Sequence, residues 1–224
     1  MNGSFLTIEG IDGSGKTTAI PHIEKMLINN GYNVLVTKDP GGTILGNVIR
    51  NVIMSNKLLR GTSALLHLAS RHELINSVIV PAMRENKVVI SDRFYDSTYA
   101  YQGNWTETML KSEPNYSMNS VLMPDEVREI DEINEKVIII PKHTILFDID
   151  VITSVNRLSA RSHEINKYDT ITLALKENII NRYRDRARLH PDRISVVDAN
   201  GSIESVLEAV SMLINKWYPS LISN

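Results

Sequence analysis

The stretch Phe5-Leu6-Thr7-Ile8-Glu9-Gly10-Ile11-Asp12-Gly13-Ser14-Gly15-Lys16-Thr17-Thr18 decides how the rest of the chain is read. Its first four residues form a short apolar run of the kind expected of a strand buried on both faces. Gly10 to Thr17 match the pattern GxxxxGKT. From Thr17 to Asn30, Ile20, Ile23 and Leu27 fall on one helical stripe that Gly31 ends. Strand, glycine loop and helix in this order are the setting the pattern requires. The glycines let successive backbone N–H groups curl around the β-phosphate of a nucleotide, and the helix N-terminus adds a favourable dipole. Gly10, Ile11, Asp12, Gly13, Ser14, Gly15, Lys16, Thr17 and Thr18 are therefore the expected contacts to ATP. Lys16 would neutralise the β/γ oxygens, and the Thr17 hydroxyl would ligate Mg²⁺.

Working outward, branched apolar runs recur at Val34–Val36, Val88–Ile90, Ile145–Ile149 and Ile194–Val197. Longer helical patterns lie between them, at about 43–55, 62–85, 124–137, 170–189 and 202–217. Strand and helix alternate throughout, which predicts one α/β domain over residues 1–224, with a five-stranded parallel sheet and right-handed crossovers. The chain has 24 Lys and Arg against 26 Asp and Glu, so there is no basic excess for gripping nucleic acid. It has no cysteine, which excludes disulfide scaffolds, thiol catalysis and Cys-ligated metal, and is compatible with a reducing cytoplasm. No apolar run approaches the ~20 residues of a membrane span. Glu9, Asp12 and the glycines interrupt the N-terminal apolar stretch before it could serve as a secretory segment.

Two regions break the regularity. Residues 104–136 carry eight acidic and three basic side chains and read as an exposed excursion. Residues 157–193 carry nine Lys or Arg and five Asp or Glu, and a basic segment between helices, about 157–169, suits a lid that closes over phosphates. Arg182, Arg184, Arg186 and Arg188, interleaved with Asp185, read instead as a solvated helix face.

A phosphate loop alone does not separate a kinase from a GTPase or a passive nucleotide binder. Two further constellations bear on the choice. In Leu65-Leu66-His67-Leu68-Ala69-Ser70-Arg71 the i, i+4 spacing sets His67 and Arg71 on one face, where a ring and a guanidinium can hold a flat base. A helix-surface pair facing water would show the same spacing. Just beyond the third strand comes Ser91-Asp92-Arg93-Phe94-Tyr95-Asp96-Ser97-Thr98-Tyr99-Ala100-Tyr101-Gln102-Gly103. Ligands of open parallel sheets gather at the carboxyl ends of strands, so Asp92 is placed to hold Mg²⁺ or its water and Arg93 to bridge two phosphates. The plainer alternative has Asp92 capping a helix and Arg93 paired with an acid.

With Asp39-Pro40-Gly41-Gly42-Thr43, these segments resemble thymidylate kinase, the nucleoside monophosphate kinase family that makes dTDP from dTMP. The resemblance runs from about residue 4 to 217 and is weakest between 104 and 141. It implies the P-loop nucleoside monophosphate kinase fold with a lid, ATP and dTMP as substrates, Mg²⁺, a cytoplasmic location, and a homodimer formed through packed helices. It implies that Arg71 bonds the pyrimidine carbonyl and Gln102 the ring N–H. Arg50 and Arg93 would take the acceptor phosphate. Ser97, Thr98 and Tyr101 would line base and sugar, with Tyr101 crowding the place of a 2′-hydroxyl. Asp12 would lie near the deoxyribose and the reacting phosphates. Members with glycine where Gly13 stands take their catalytic arginine from the lid, which points to Arg161, while Arg157 would flank the adenine.

The chain departs from the family pattern in places. His67 stands where the family stacks phenylalanine on thymine, which leaves open a 5-modified or other pyrimidine deoxynucleotide as substrate. Asp39 replaces the usual Glu and Lys38 a common Arg. Asn166-Lys167-Tyr168-Asp169 spells the guanine-reading NKxD of GTPases, but no buried strand feeds it, so a GTP switch is the more distant alternative. The six histidines show no HExxH spacing, and His72 and His163 read as surface.

Overall fold

The computed structural model describes residues 3–102, 139–160 and 172–221. The 104–136 excursion with the helix expected over 124–137, the lid beyond Ala160 with Arg161 and His163, and the NKxD tetrapeptide lie outside those residues.

In chain order the elements are β1 (Ser4–Glu9), α1 (Lys16–Asn29), β2 (Val34–Lys38), α2 (Ile44–Ser55) and α3 (Arg60–Leu74). A π-helical turn (Ile75–Ile79) carries α3 into α4 (Val80–Arg84). Then follow β3 (Val88–Asp92), α5 (Tyr95–Gln102), β4 (His143–Asp148), α6 (Val151–Ser159), α7 (Leu173–Leu189), β5 (Ile194–Asp198) and α8 (Ile203–Trp217). The helix expected over 62–85 is thus interrupted. Its widened turn ends at Ile79, two residues before Pro81, whose nitrogen has no hydrogen to give to the preceding turn. Thr43, Thr172 and Ser202 cap α2, α7 and α8 by accepting from Gly46, Leu175 and Ser205 N–H.

The five strands form one parallel sheet in the order β2-β3-β1-β4-β5. Side chains alternate between its faces. Leu6, Ile8, Val88 and Ile90 join Ile20, Ile23 and Leu27 of α1 and Val206, Val210 and Ile214 of α8 in the larger apolar cluster. Phe5 and Val89, of opposite parity, pack with Leu74, Ile75, Ile79 and Phe94. β1 is central and all six of its residues are buried, so the loop that follows it starts from the most constrained point of the sheet.

The solvated face expected for α7 holds only in part. Arg188 pairs with Asp185 at the surface, and Arg184 reaches Asp148 at 3.0 Å. Arg186 is buried and donates to Asp96 at 3.0 Å, and Arg193 donates to the same carboxylate at 2.8 Å. The Tyr95 and Tyr99 rings cover the Arg186 guanidinium. The alternating charges conceal a helix whose inner stripe is Ile179, Ile180, Tyr183 and Arg186. Asp96→Ala leaves two inward-facing guanidinium groups without their carboxylate. It should cost about 3–5 kcal/mol, read in thermal melts as a Tm fall of at least ~6 °C.

Candidate active site

From Glu9 the chain turns through the glycine loop into α1. Gly10, Gly13 and Gly15 have φ of 137°, 81° and 101°. A Cβ at Gly10 would meet Phe147 O at 2.7 Å, and one at Gly13 would meet Ser154 O at 2.7 Å. Conformation and space both demand glycine at these two positions. Ser154 Oγ donates to Asp12 O at 2.8 Å, so α6 supports the loop from behind. Lys16 is buried, and its Nζ donates to Gly10 O at 2.9 Å and Ile11 O at 3.0 Å. Burial, reinforced by Arg93, pushes its pKa down to about 8. Thr17 and Thr18 are exposed on the first turn. Ser14 Oγ in the loop and Asp92 Oδ1 at the end of β3 are buried polar atoms with no hydrogen-bond partner among the described residues.

Arg93 follows Asp92 in the left-handed region, at φ 69°. Its Nη2 donates to Asp12 Oδ1 at 2.7 Å. Its Nη1 donates to Gly10 O at 2.8 Å, Tyr183 Oη at 3.1 Å and Ser97 Oγ at 3.3 Å. Pairing with an acid, the plainer reading of Arg93, therefore occurs, and the acid belongs to the phosphate loop. Burial would raise the Asp12 pKa, but Arg93 and Lys16 outweigh it and hold the carboxyl below its usual value. Glu9 lies beneath: Oε1 accepts from Phe94 N–H at 2.8 Å, and Oε2 accepts from Ser97 Oγ at 2.6 Å and Tyr183 Oη at 3.1 Å. Burial and the Asp96 charge push the Glu9 carboxyl up to about 7.

Beside this pair opens a cavity of about 100 Å³. Asp12, Arg50, His67, Arg71, Arg93, Ser97, Tyr101 and Gln102 line it, so most residues singled out for an acceptor from the sequence share one wall. His67 and Arg71 are 8% and 1% exposed, which rules out the water-facing pair. His67 Nδ1 donates to Ser63 O at 2.7 Å, the only direction a carbonyl permits. Arg71 donates to Asp39 Oδ2 at 2.6 Å and Thr98 Oγ1 at 2.7 Å, with Phe94 under its guanidinium. Burial dominates at Asp39 and raises its pKa despite the Arg71 charge. Thr98 stands behind Arg71 and outside the cavity wall, a difference from its expected contact with base and sugar. Arg50 donates to Pro40 O at 3.1 Å at the rim. On the opposite side Arg157, on α6, donates to Gly201 O at 2.8 Å in the loop after β5.

Sequence reading missed Glu9, Tyr183 and Ser154. Glu9 carries a signal, since an acid closing a fully buried strand requires partners. Tyr183 and Ser154 carry none, because their roles depend on contacts across 174 and 142 residues of chain. Asp39 enters the sequence reading through the Asp39–Thr43 motif and as a departure from Glu, but nothing in the sequence pairs it with Arg71.

Among the described residues no helix is long and apolar enough to cross a membrane, and no group of three or more His, Asp or Glu could by itself hold a metal. A parallel sheet with a phosphate loop at its centre, opening onto a second cavity rich in arginine and rings, is the arrangement of a P-loop nucleoside monophosphate kinase. The thymidylate kinase family profile matches residues 8–210. The chain is 36% identical over 217 residues to the thymidylate kinase of Mycoplasma capricolum, covering 95% of each chain. It is 33% identical over 222 residues to that of Nitrosospira multiformis, covering 97% of this chain and 100% of the other. It is 34% identical over 223 residues to that of Geobacillus thermodenitrificans, covering 96% and 92%. The chain belongs to the thymidylate kinase family, whose members are phosphotransferases.

A carboxyl whose folded pKa lies above its unfolded value favours folding fully below the unfolded value, and loses that contribution as pH rises to the folded one. For Glu9 the window runs from 4.5 to about 7. Thermal melts of Glu9→Gln and the parent, compared at roughly pH 5 and pH 8, should show the Tm difference moving in favour of the variant by a few °C at the higher pH.

Proposed function

We propose that the chain transfers the γ-phosphoryl of ATP to dTMP, giving ADP and dTDP. The observation that carries this reading is the Asp12–Arg93 pair at 2.7 Å, which belongs at once to the phosphate loop and to the wall of the acceptor cavity. Two anionic ends brought to these sites meet at one guanidinium. Little covalent work falls to the protein, which aligns the reactants and neutralises charge. Lys16 takes β/γ oxygens, Arg93 lies between donor and acceptor, Asp12 holds the deoxyribose side, and Arg50 takes the acceptor phosphate. Arg71 and Gln102 read the pyrimidine edge, and His67 stacks on the ring. Ser97 and Tyr101 complete the base and sugar site, with Thr98 holding Arg71 from behind. Arg157 flanks the adenine. Arg161 of the lid supplies the remaining catalytic charge, as the resemblance implies for members with glycine at the position of Gly13. The acceptor phosphate is already ionised at neutral pH, so no general base is needed.

The donor set suits a magnesium ion that arrives with the nucleotide. It is all oxygen: the unpartnered Asp92 Oδ1 and the Thr17 hydroxyl would hold the ion together with the nucleotide. The ion would supply charge neutralisation at the β- and γ-phosphates. A cytoplasmic enzyme acting on free nucleotides, without nucleic acid, accords with the balanced charge of 24 basic and 26 acidic residues.

His67 in the cavity wall favours a second reading, a pyrimidine deoxynucleotide with a different 5-substituent. ADP release over a panel of nucleoside monophosphates, with ATP and with GTP, decides: dTMP with ATP should turn over best. Failure of dTMP while another pyrimidine works would reassign the substrate. Arg71→Ala should raise the dTMP KM at least about ten-fold more than the ATP KM. Gln102→Leu, which leaves no buried charge unpaired, should show the same split at smaller size.

The second copy of a homodimer is proposed to cover the outer face of α2. There Ile44, Leu45, Val48 and Val52 are 90, 51, 55 and 40% exposed, and Leu65 of the neighbouring α3 is 56% exposed. An unbroken apolar stripe on packed helices is what a self-complementary interface requires. Light scattering should give twice the 25.2 kDa chain mass for the parent, and the single-chain mass for Val48→Glu/Val52→Glu.

A further inference from the structure

We propose that Glu9 and Tyr183 are positioning residues for phosphoryl transfer, holding one nitrogen of the Arg93 guanidinium so that the other faces the phosphates. The inference rests on the kinase reading of the cleft. It starts from the direction of each hydrogen bond. Arg93 has only donors, so the Tyr183 and Ser97 hydroxyls, 3.1 and 3.3 Å from Nη1, must accept from it. The two hydroxyls are 2.7 Å apart, and both lie within reach of Glu9 Oε2. Their protons then have one destination that does not oppose Arg93, the lone pairs of the Glu9 carboxylate. Burial, with the Glu9 charge next, pushes the Tyr183 hydroxyl well above its usual pKa, so it keeps the proton it donates. Glu9 is itself fixed by Phe94 N–H at 2.8 Å.

The two halves of the guanidinium differ in setting. Nη1 is surrounded by Gly10 O and this buried hydroxyl network. Nη2 is paired to Asp12, whose side chain is 34% exposed at the cleft. Phosphates entering the cleft compete for Nη2, while Nη1 stays anchored to β1 and α7. Tyr183 thereby links the helix that follows the lid to the arginine between the reactants. Removing its hydroxyl takes an acceptor from a buried cation and a donor from a buried carboxylate, and leaves the ring packing in place.

The test is a double-mutant cycle on the full chain, read by steady-state kinetics with ATP and dTMP. Tyr183→Phe should lower kcat roughly ten-fold, with both KM values within about two-fold of the parent. In an Arg93→Ala background the same change should cost nothing further, since its effect passes through Arg93. Glu9→Gln, run through the same cycle, provides the second arm and should behave alike. An unaltered kcat in both variants, or an equal loss in the Arg93→Ala background, overturns the proposal. A parent that does not phosphorylate dTMP speaks against the kinase reading instead, and the two failures are distinguishable because one is seen before any substitution is made.

Discussion

The parallel register of β1 and β3, with Ile8 opposite Asp92, sets the position of everything in the cleft. Because both strands run the same way and end level, the phosphate loop and the Asp92-Arg93 segment leave the sheet side by side. Arg93 N–H continues the ladder to Ile8 O at 2.9 Å, and only then does the chain bend into its left-handed turn. A slip of one residue would send Leu6 and Ile8 to the Phe5 face and carry Arg93 away from Asp12. The apolar clusters on both faces of the sheet prevent that slip, so the core fixes the site as directly as any polar contact does.

Buried charge is used in two ways. Arg186 and Arg193 close on the Asp96 carboxylate at 3.0 and 2.8 Å, and Arg71 meets Asp39 Oδ2 at 2.6 Å while Asp39 Oδ1 has no hydrogen-bond partner among the described residues. They add little net stability over apolar packing, but breaking one is expensive, and this makes their geometry rigid. Lys16 differs. Its buried ammonium rests on two loop carbonyls, and burial, with repulsion from Arg93 next, depresses its pKa. Around it, Ser14 Oγ and Asp92 Oδ1 lack partners among the described residues. The closed groups orient side chains, and the incomplete ones are where a bound nucleotide and its ion would supply the missing interactions on the proposed function.

The donor half of the site was legible in the sequence because it is made mainly of consecutive backbone. Gly10 to Thr17 carry their geometry in their own composition, and all five strands fall where short branched runs predict them. The acceptor half was legible in part, through the His67–Arg71 spacing and the strand-end position of Arg93, and otherwise through the resemblance to a known family. His67 and Arg71 share a helix face, but their spacing could not tell a buried pair from a wet one, since the packing of α3 against α2 and α5 decides that. The arginines of α7 misled for the same reason: alternating charge reads as solvation unless Asp96, 90 residues away, is known to face Arg186. Glu9, Tyr183 and Ser154 were missed because a hydroxyl or carboxyl takes its role from partners the chain folds toward it.

The same contrast bears on specificity. On the proposed function, a loop of amides and one ammonium would recognise phosphate charge without distinguishing bases, which would leave discrimination to the side-chain cavity. There the contacts come from α2, α3 and α5, and each depends on a buried partner: Arg71 on Asp39 and Thr98, His67 on Ser63, Arg50 on Pro40. A site with polar groups aimed at a substrate edge rejects analogues lacking that edge far more strongly than an apolar slot does, because the unmatched groups stay buried and unsatisfied. If Arg71 reads the substrate as proposed, fixing it from both ends would serve selection as much as affinity. A loosely held guanidinium could turn to satisfy a wrong ring, whereas one held at Nε and Nη2 has little freedom to do so.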